Sequence, residues 1–284
     1  MVLAVALDRD ARDDEEILTV PALPLRADLK KAAESLGVRE VRYLVDLYYQ
    51  IQDYRKAATN QQRALVEAAE PHLAIAWAGR AMLGMEGDIR AMLDRYTATE
   101  ATGMGAWARS CIGIGPVLSA GLLAHIEIEK APTVGHIWAF AGLDPTRTWD
   151  KGQKRPFNAS LKVLCWKIGQ SFMKMQNHPR DVYGRLYRER KAYEQQRNDT
   201  GDLAGQAAAK LERFRIGKDT DAHKAYSVGR LPPAHIDARA RRWVVKLFLA
   251  HWHEEAYTRH HGLPPPRPYA IAFQDHAHKI ECPG

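Results

Sequence analysis

Cysteine is scarce in this chain of 284 residues: three stand at positions 111, 165 and 282, with no CxxC pair among them. That scarcity argues against a disulfide framework or a short zinc knuckle and predicts a reducing, cytoplasmic setting. Long apolar runs are also missing. Even the apolar stretch from Trp243 to Trp252 is broken by Lys246 and His251, so no membrane span of roughly 18 residues is expected. The apolar opening from Met1 to Leu7 lacks a basic flank and runs into Asp8, Asp10, Asp13, Asp14, Glu15 and Glu16, which is not the order of a secretory leader. Strand-like alternation is nearly absent, and no internal repeat stands out.

What is present is a globular composition, 46% hydrophobic and 26% charged, and a strong helical period. Val38, Val41, Leu44, Val45, Tyr48 and Ile51 recur at spacings of three and four with charged residues between them, which predicts an amphipathic helix running toward Ala69. Pro71 interrupts the pattern, and a second helix is predicted from about His72 to Tyr96, paired with the first as an antiparallel hairpin. Further helices are predicted over Ala159 to Met175, Pro179 to about Arg197 and Pro233 to about His261. The expected fold is mostly α: a long helical hairpin followed by a helical domain that contains a helix-hairpin-helix. The expected organisation is a tail or docking arm over 1–36, a coiled-coil-like hairpin over 37–100, the helical domain over 101–262 and a Pro-rich strap over 263–284.

Charge is unevenly spread. The whole chain carries +7, but residues 141–250 hold 23 basic against 11 acidic residues, a net of +12, and the remainder is net −5. A basic excess confined to one region predicts a polyanionic partner, with nucleic acid foremost; solubility alone is the plainer alternative.

The segment from Trp107 to Ile126 reads as a helix, a Gly113-Ile114-Gly115 turn and a second helix opening at Pro116. Glycine permits positive φ and close backbone approach, proline at the first turn gives up an amide that would be unpaired anyway, and the helix N-terminus presents amides to an anion. A DNA phosphate fits such a turn, so Gly113, Ile114, Gly115 and Val117 are candidate contacts. A tight αα-turn that binds nothing is the alternative.

After the hairpin come Ile137-Trp-Ala-Phe-Ala-Gly-Leu-Asp-Pro145, a basic stretch and Asn158-Ala-Ser-Leu-Lys162. This order resembles the C-terminal domain of the insertion-sequence transposases related to Piv DNA invertases, the bridge-RNA-guided recombinases. The resemblance covers roughly residues 105–200, with the helix 235–251 after an insertion, and it implies DNA binding, a link to a mobile element or phage, and RNA as a second candidate partner. Two parts of that family's machinery are not identifiable. Only about 36 residues precede the first long helix, too few for the family's RuvC-like acidic metal domain, and Trp149 and Asp150 occupy the places of its nucleophilic serine. Thr148 has a hydroxyl but no evident activating base. No catalytic residue, metal or cofactor is therefore assigned.

Basic side chains with interleaved aromatics mark the expected interface. Lys151, Lys154, Arg155, Asn158, Lys162 and Lys167 crowd a segment that also holds Trp149 and Phe157, which suits a phosphate backbone beside a stacking platform. Asn158 is also the predicted N-cap of the following helix. On the last helix His235, Arg239, Arg242 and Lys246 form a stripe opposite Ile236, Ala240, Trp243, Leu247 and Ala250. Around Arg185, Arg188 and Lys191, in contrast, Glu189 and Glu194 favour an exposed, salt-bridged helix. The late histidines, His251 and His253 among them, match no zinc spacing and are expected in core or capping roles.

The expectation is thus a DNA-binding protein, duplex or branched DNA being its partner, related to these transposases and without independent catalysis, able to self-associate through the helical hairpin. The rivals are an active recombinase component served by a metal domain in trans and a helical interaction protein that binds no DNA.

Overall fold

The computed structural model describes residues 26–68, 72–150, 152–266 and 280–282. Among them the chain forms eleven α-helices and no strand, so the mostly α expectation holds. None of these helices is long and apolar enough to cross a membrane.

Two helices dominate the first third, α2 (Val38–Glu67) and α3 (Leu73–Thr99). At 1.5 Å per residue α2 is about 45 Å long. The pair is packed at one end only. Val41, Val45 and Ile51 of α2 and Ile89 and Leu93 of α3 are buried together with Val117, Ala120 and Ala124 of α5 (Pro116–His125). From Gln52 to Met85, no described residue is fully buried. The α1 helix (Arg26–Ala32) lies along α3, where Arg26 pairs with Asp88 at 2.7 Å and Glu34 accepts from Arg95 at 2.7 Å. The described part of the N-terminal segment is therefore a docked helix.

The second body is built on α11 (Pro233–His261), which packs against α8 (Tyr183–Asp199), α7 (Ala159–Met175), α6 (Val134–Phe140) and α4 (Met104–Ser110). Its centre is aromatic: Phe172 stacks on Tyr183 at 4.8 Å between centroids, and both meet Phe248 edge-on. A smaller cluster of Leu203, Ala207, Tyr226, Leu231 and Ile236 joins α9 (Ala204–Arg213) and α10 (Asp221–Ser227) to the start of α11. Buried Asn198 holds the chain there, its side chain accepting from the Leu231 amide at 2.8 Å and donating to the Leu231 carbonyl at 3.0 Å.

Local signals set the helix ends. Asn158 caps α7 by accepting from the Leu161 amide at 2.8 Å, and Gly262 at φ +71° ends α11. The α8 helix begins at Tyr183, four residues after the expected Pro179. The intervening turn is held by its own polar bonds, with the Asp181 amide donating to the His178 carbonyl and the Gly184 amide to the Asp181 carboxylate. Gly184 is required there, because a Cβ would stand 2.6 Å from the Phe172 carbonyl oxygen.

Candidate nucleic-acid interface

The glycine turn joins α4 to α5 as expected, and only part of it faces solvent. Gly113 adopts φ +99°, and its carbonyl accepts from the Ser171 hydroxyl at 2.6 Å, so this side of the turn is fixed to α7. Ile114 and Val117 are buried, Ile114 in the main core and Val117 under the base of the hairpin. Their side chains anchor the turn and are not presented to a ligand. Gly115 is exposed, it precedes α5 in extended conformation, and no side chain caps the helix it opens. The exposed residue of the tip is therefore Gly115, and since Pro116 has no N–H the first amides of α5 are those of Val117 and Leu118.

Beyond α6 the chain makes a tight corner. Ala141 is fully buried and Gly142 takes φ +65°, where a Cβ would meet the Phe157 ring at 2.9 Å. The Asn158 amide donates to the Phe140 carbonyl at 2.8 Å, closing the base of the loop. Inside that loop Asp144 accepts from the Thr146 hydroxyl at 2.7 Å and amide at 2.9 Å, which hold its carboxyl below the usual range. Trp149 donates from its indole nitrogen to the Gln153 carbonyl at 2.7 Å, and the Arg155 guanidinium lies 5.4 Å from its ring centroid. Lys154 is exposed, and Lys151 lies outside the described residues. Thr148 is exposed and has no hydrogen-bond partner among the described residues.

A groove of about 470 Å³ opens between this corner, α7 and α11. Its lining is apolar at Leu143, Cys165 and Val245, with Lys162, Trp166 and Arg242 also facing it. Neither Lys162 nor Arg242 has an ion-pair partner among the described residues; Lys162 instead lies over the Phe157 ring, 4.1 Å from its centroid. Withdrawal from bulk water, then the neighbouring Arg239 and Arg241, push the Arg242 pKa down. Lys246 lies close by, its ammonium 4.2 Å from the Trp138 centroid. Burial lowers its pKa while Asp144 opposes the shift.

The basic stripe on α11 divides. Arg242 faces the groove, whereas Arg239 turns toward α8 and α9, donating to Glu194 at 2.8 Å and to Gln206 at 2.6 Å. Glu194 is not exposed: it is 1% accessible and is held by Arg190, Arg197 and Arg239. Arg239 is thus committed to a buried ion network, a role that the helical period could not reveal. Lys167 is also turned away, with its ammonium 3.7 Å from the Tyr49 centroid on α2.

The hairpin tip and the groove do not form one surface. Ser171, Phe172 and Met175 of α7 face the tip at Gly113, and Leu164 lies against Gly121. Lys162, Cys165, Trp166 and Gly169 line the groove. At roughly 100° per residue these sets fall on faces of α7 about 130° apart.

Two of the late histidines serve the core, whereas His260 and His261 are exposed and His276 and His278 lie outside the described residues. Buried His251 bridges the Tyr183 hydroxyl and the Ile280 carbonyl, each at 2.8 Å, and buried His253 meets the Ala131 carbonyl at 2.8 Å. Among the described residues no group of three His, Cys, Asp or Glu side chains is arranged to hold a metal ion.

Sequence reasoning missed Trp166, which is 60% exposed on α7. The signal was available: Leu161, Leu164, Cys165, Ile168 and Phe172 define the inward stripe of that helix, and Trp166 falls off it. Compared with protein-family models, curated proteins and solved structures, the chain matches none.

Proposed function

We propose that the chain is a nucleic-acid-binding protein that holds DNA through backbone phosphates and does no strand chemistry by itself. One observation carries this reading: Lys162 of α7 and Arg242 of α11, eighty positions apart in sequence, converge on one groove without an ion-pair partner among the described residues. The Asp144 carboxylate that shares the groove is held by Thr146 and Arg147 and leaves Lys162 and Arg242 unpaired, and cations so placed favour a polyanion. The uncapped start of α5 at Gly115 offers a second phosphate contact, made by amides. The kinship with transposases rests on the order of the hairpin, the Ala141-Gly142-Leu143-Asp144-Pro145 corner and the Asn158 helix start.

The test is fluorescence anisotropy on labelled duplex and single-stranded DNA across a salt series. Affinity is expected to fall steeply with salt. Replacing Lys162 and Arg242 by alanine should reduce the slope of log K against log salt on single strands by about 0.7 per contact. An unchanged slope in the folded double variant removes the groove from the interface, and no binding at low salt by the parent chain favours the helical interaction protein.

The same reading gives the hairpin a role in joining copies of the chain. Leu73 is 85% exposed and Trp77 69%, near an end of the hairpin that buries no described residue. Sedimentation of the parent chain and of Trp77→Ser tests it: a parent that sediments as a monomer at all concentrations rejects the assembly.

A further inference from the structure

The groove between α7 and α11 has the volume of a small-ligand pocket, about 470 Å³, and is built differently from a phosphate track. Its lining combines apolar side chains, Leu143, Cys165 and Val245, with a broad indole, the unpaired cations Lys162 and Arg242, Arg241 paired to Asp237 at 2.7 Å, and the Asp144 carboxylate. That volume falls within the roughly 300–1,000 Å³ of pockets that hold small organic ligands. Two glycines shape it. At Gly169 an added Cβ would lie 3.2 Å from Val245 and 3.4 Å from the Arg241 Cβ, so its absence lets α7 and α11 close together beneath the opening. At Gly142 the positive φ turns the chain so that Leu143 and Asp144 form the opposite wall.

Trp166 has no evident structural employment. Its ring makes no aromatic or cation contact and its indole nitrogen no hydrogen bond among the described residues, while the side chain remains 60% exposed at the groove. A large apolar face beside unpaired cations suits a ligand that is flat at one end and anionic at the other. We propose that this groove receives one unstacked nucleotide of a DNA strand, with its base against Trp166 and its adjoining phosphates on Lys162 and Arg242. The inference rests on the nucleic-acid reading above and adds the form of the ligand: an unpaired strand, whose base has a free face to stack.

The experiment uses the full chain and single-stranded oligonucleotides carrying 2-aminopurine, with a fully paired duplex and a free mononucleotide for comparison. Stacking on the indole should quench the 2-aminopurine signal when the single strand binds. Trp166→Ala should abolish that quenching and weaken single-strand binding by roughly 5- to 150-fold, leaving the salt slope and duplex binding close to the parent's. Trp166→Phe, which retains a ring, should recover most of the affinity. Melting curves establish that the variants fold, and the exposure of Trp166 favours that.

Single-strand affinity and quenching unchanged in folded Trp166→Ala would overturn the pocket while leaving the nucleic-acid reading in place. Absence of binding to any DNA would overturn both. Competition by the mononucleotide as effective as by the oligonucleotide would overturn the assignment to a strand, assigning the groove to a free nucleotide.

Discussion

Two glycines in the same turn, Gly113 and Gly115, separate the cost of folding from the contact with DNA. Gly113 has φ +99°, and an added Cβ would stand 3.3 Å from both the Phe172 ring and the Ser171 hydroxyl oxygen. Holding an L-residue at positive φ costs roughly 1–2 kcal/mol. Phe172 is fully buried and cannot give way, and displacing Ser171 would weaken a hydrogen bond worth roughly 1 kcal/mol. Gly113→Ala should therefore destabilise the chain by about 2–4 kcal/mol, lowering the melting temperature by about 5–10 °C. Gly115 presents the reverse case. It has φ −94°, no atom within 4 Å of a Cβ, and no side-chain cap on the helix it opens. Gly115→Asp supplies that cap and a favourable charge at the helix N-terminus, which should raise stability by about 0.5–1 kcal/mol. The same carboxylate occupies the amides proposed to hold a phosphate, so DNA binding should fall while the fold tightens. Differential scanning fluorimetry and anisotropy on the same preparations read both quantities. A Gly115→Asp variant that is more stable and binds duplex DNA undiminished would refute the phosphate site; Gly113→Ala melting with the parent would refute the packing analysis.

Glu194→Ala should destabilise the chain by about 3–5 kcal/mol, because it strips a shared partner from a buried ion cluster; burial acts to raise the Glu194 pKa, and hydrogen bonds from Arg239 and Arg190 outweigh it. Urea titration measures this, and a loss below 1 kcal/mol, roughly the value of an exposed pair, would mean that water already screens the network. His235 should make stability pH-dependent. Burial, with Lys210, Arg242 and Arg239 adding to it, lowers its pKa to about 4 from an ordinary 6.5. The unfolded chain then takes up a proton first as pH falls, so the contribution is complete above pH 6.5 and is lost toward pH 4. His235→Phe should flatten that part of the profile, and urea midpoints with the parent's pH dependence would exonerate the residue.

Much of the fold was legible because helical period and capping chemistry act locally. The predicted bounds Ala159 to Met175 and Pro233 to His261 are those observed for α7 and α11, each marked by a residue with a definite job at its start: Asn158 as the cap, Pro233 in the first turn. The site was less legible because it depends on partners distant in sequence. Arg239 and Arg242 stand three residues apart on one helix, yet Glu194 draws the first into a buried network and the α6–α7 corner leaves the second at a groove. The turn motif makes Ile114 an anchor and, with Val117, a candidate contact; the structure gives both side chains to the core. A turn motif gives the backbone path, while the inward direction of its side chains follows from α2, α3 and α7 packing around it.

The two proposed contact points lie on different faces of α7, and this has a consequence for the shape of the preferred DNA. Gly115 offers backbone amides at an exposed tip, which suits a duplex phosphate; the α7–α11 groove is pocket-sized and lined by an indole, which suits an unpaired nucleotide. A single straight duplex can satisfy the tip and leaves the groove empty. A DNA that passes from duplex to single strand can satisfy both, and once one part is held the other binds at a raised effective concentration. The chain should therefore bind a duplex with a single-stranded arm more tightly than either part alone, by about 10²-fold or more where the arm spans the two sites. Trp166→Ala should reduce the joined DNA to duplex-like affinity, and Gly115→Asp should reduce it to single-strand-like affinity. Titration of the three DNAs at one salt concentration, with an arm-length series, distinguishes the cases. Equal affinities at every arm length would mean that tip and groove are not used together.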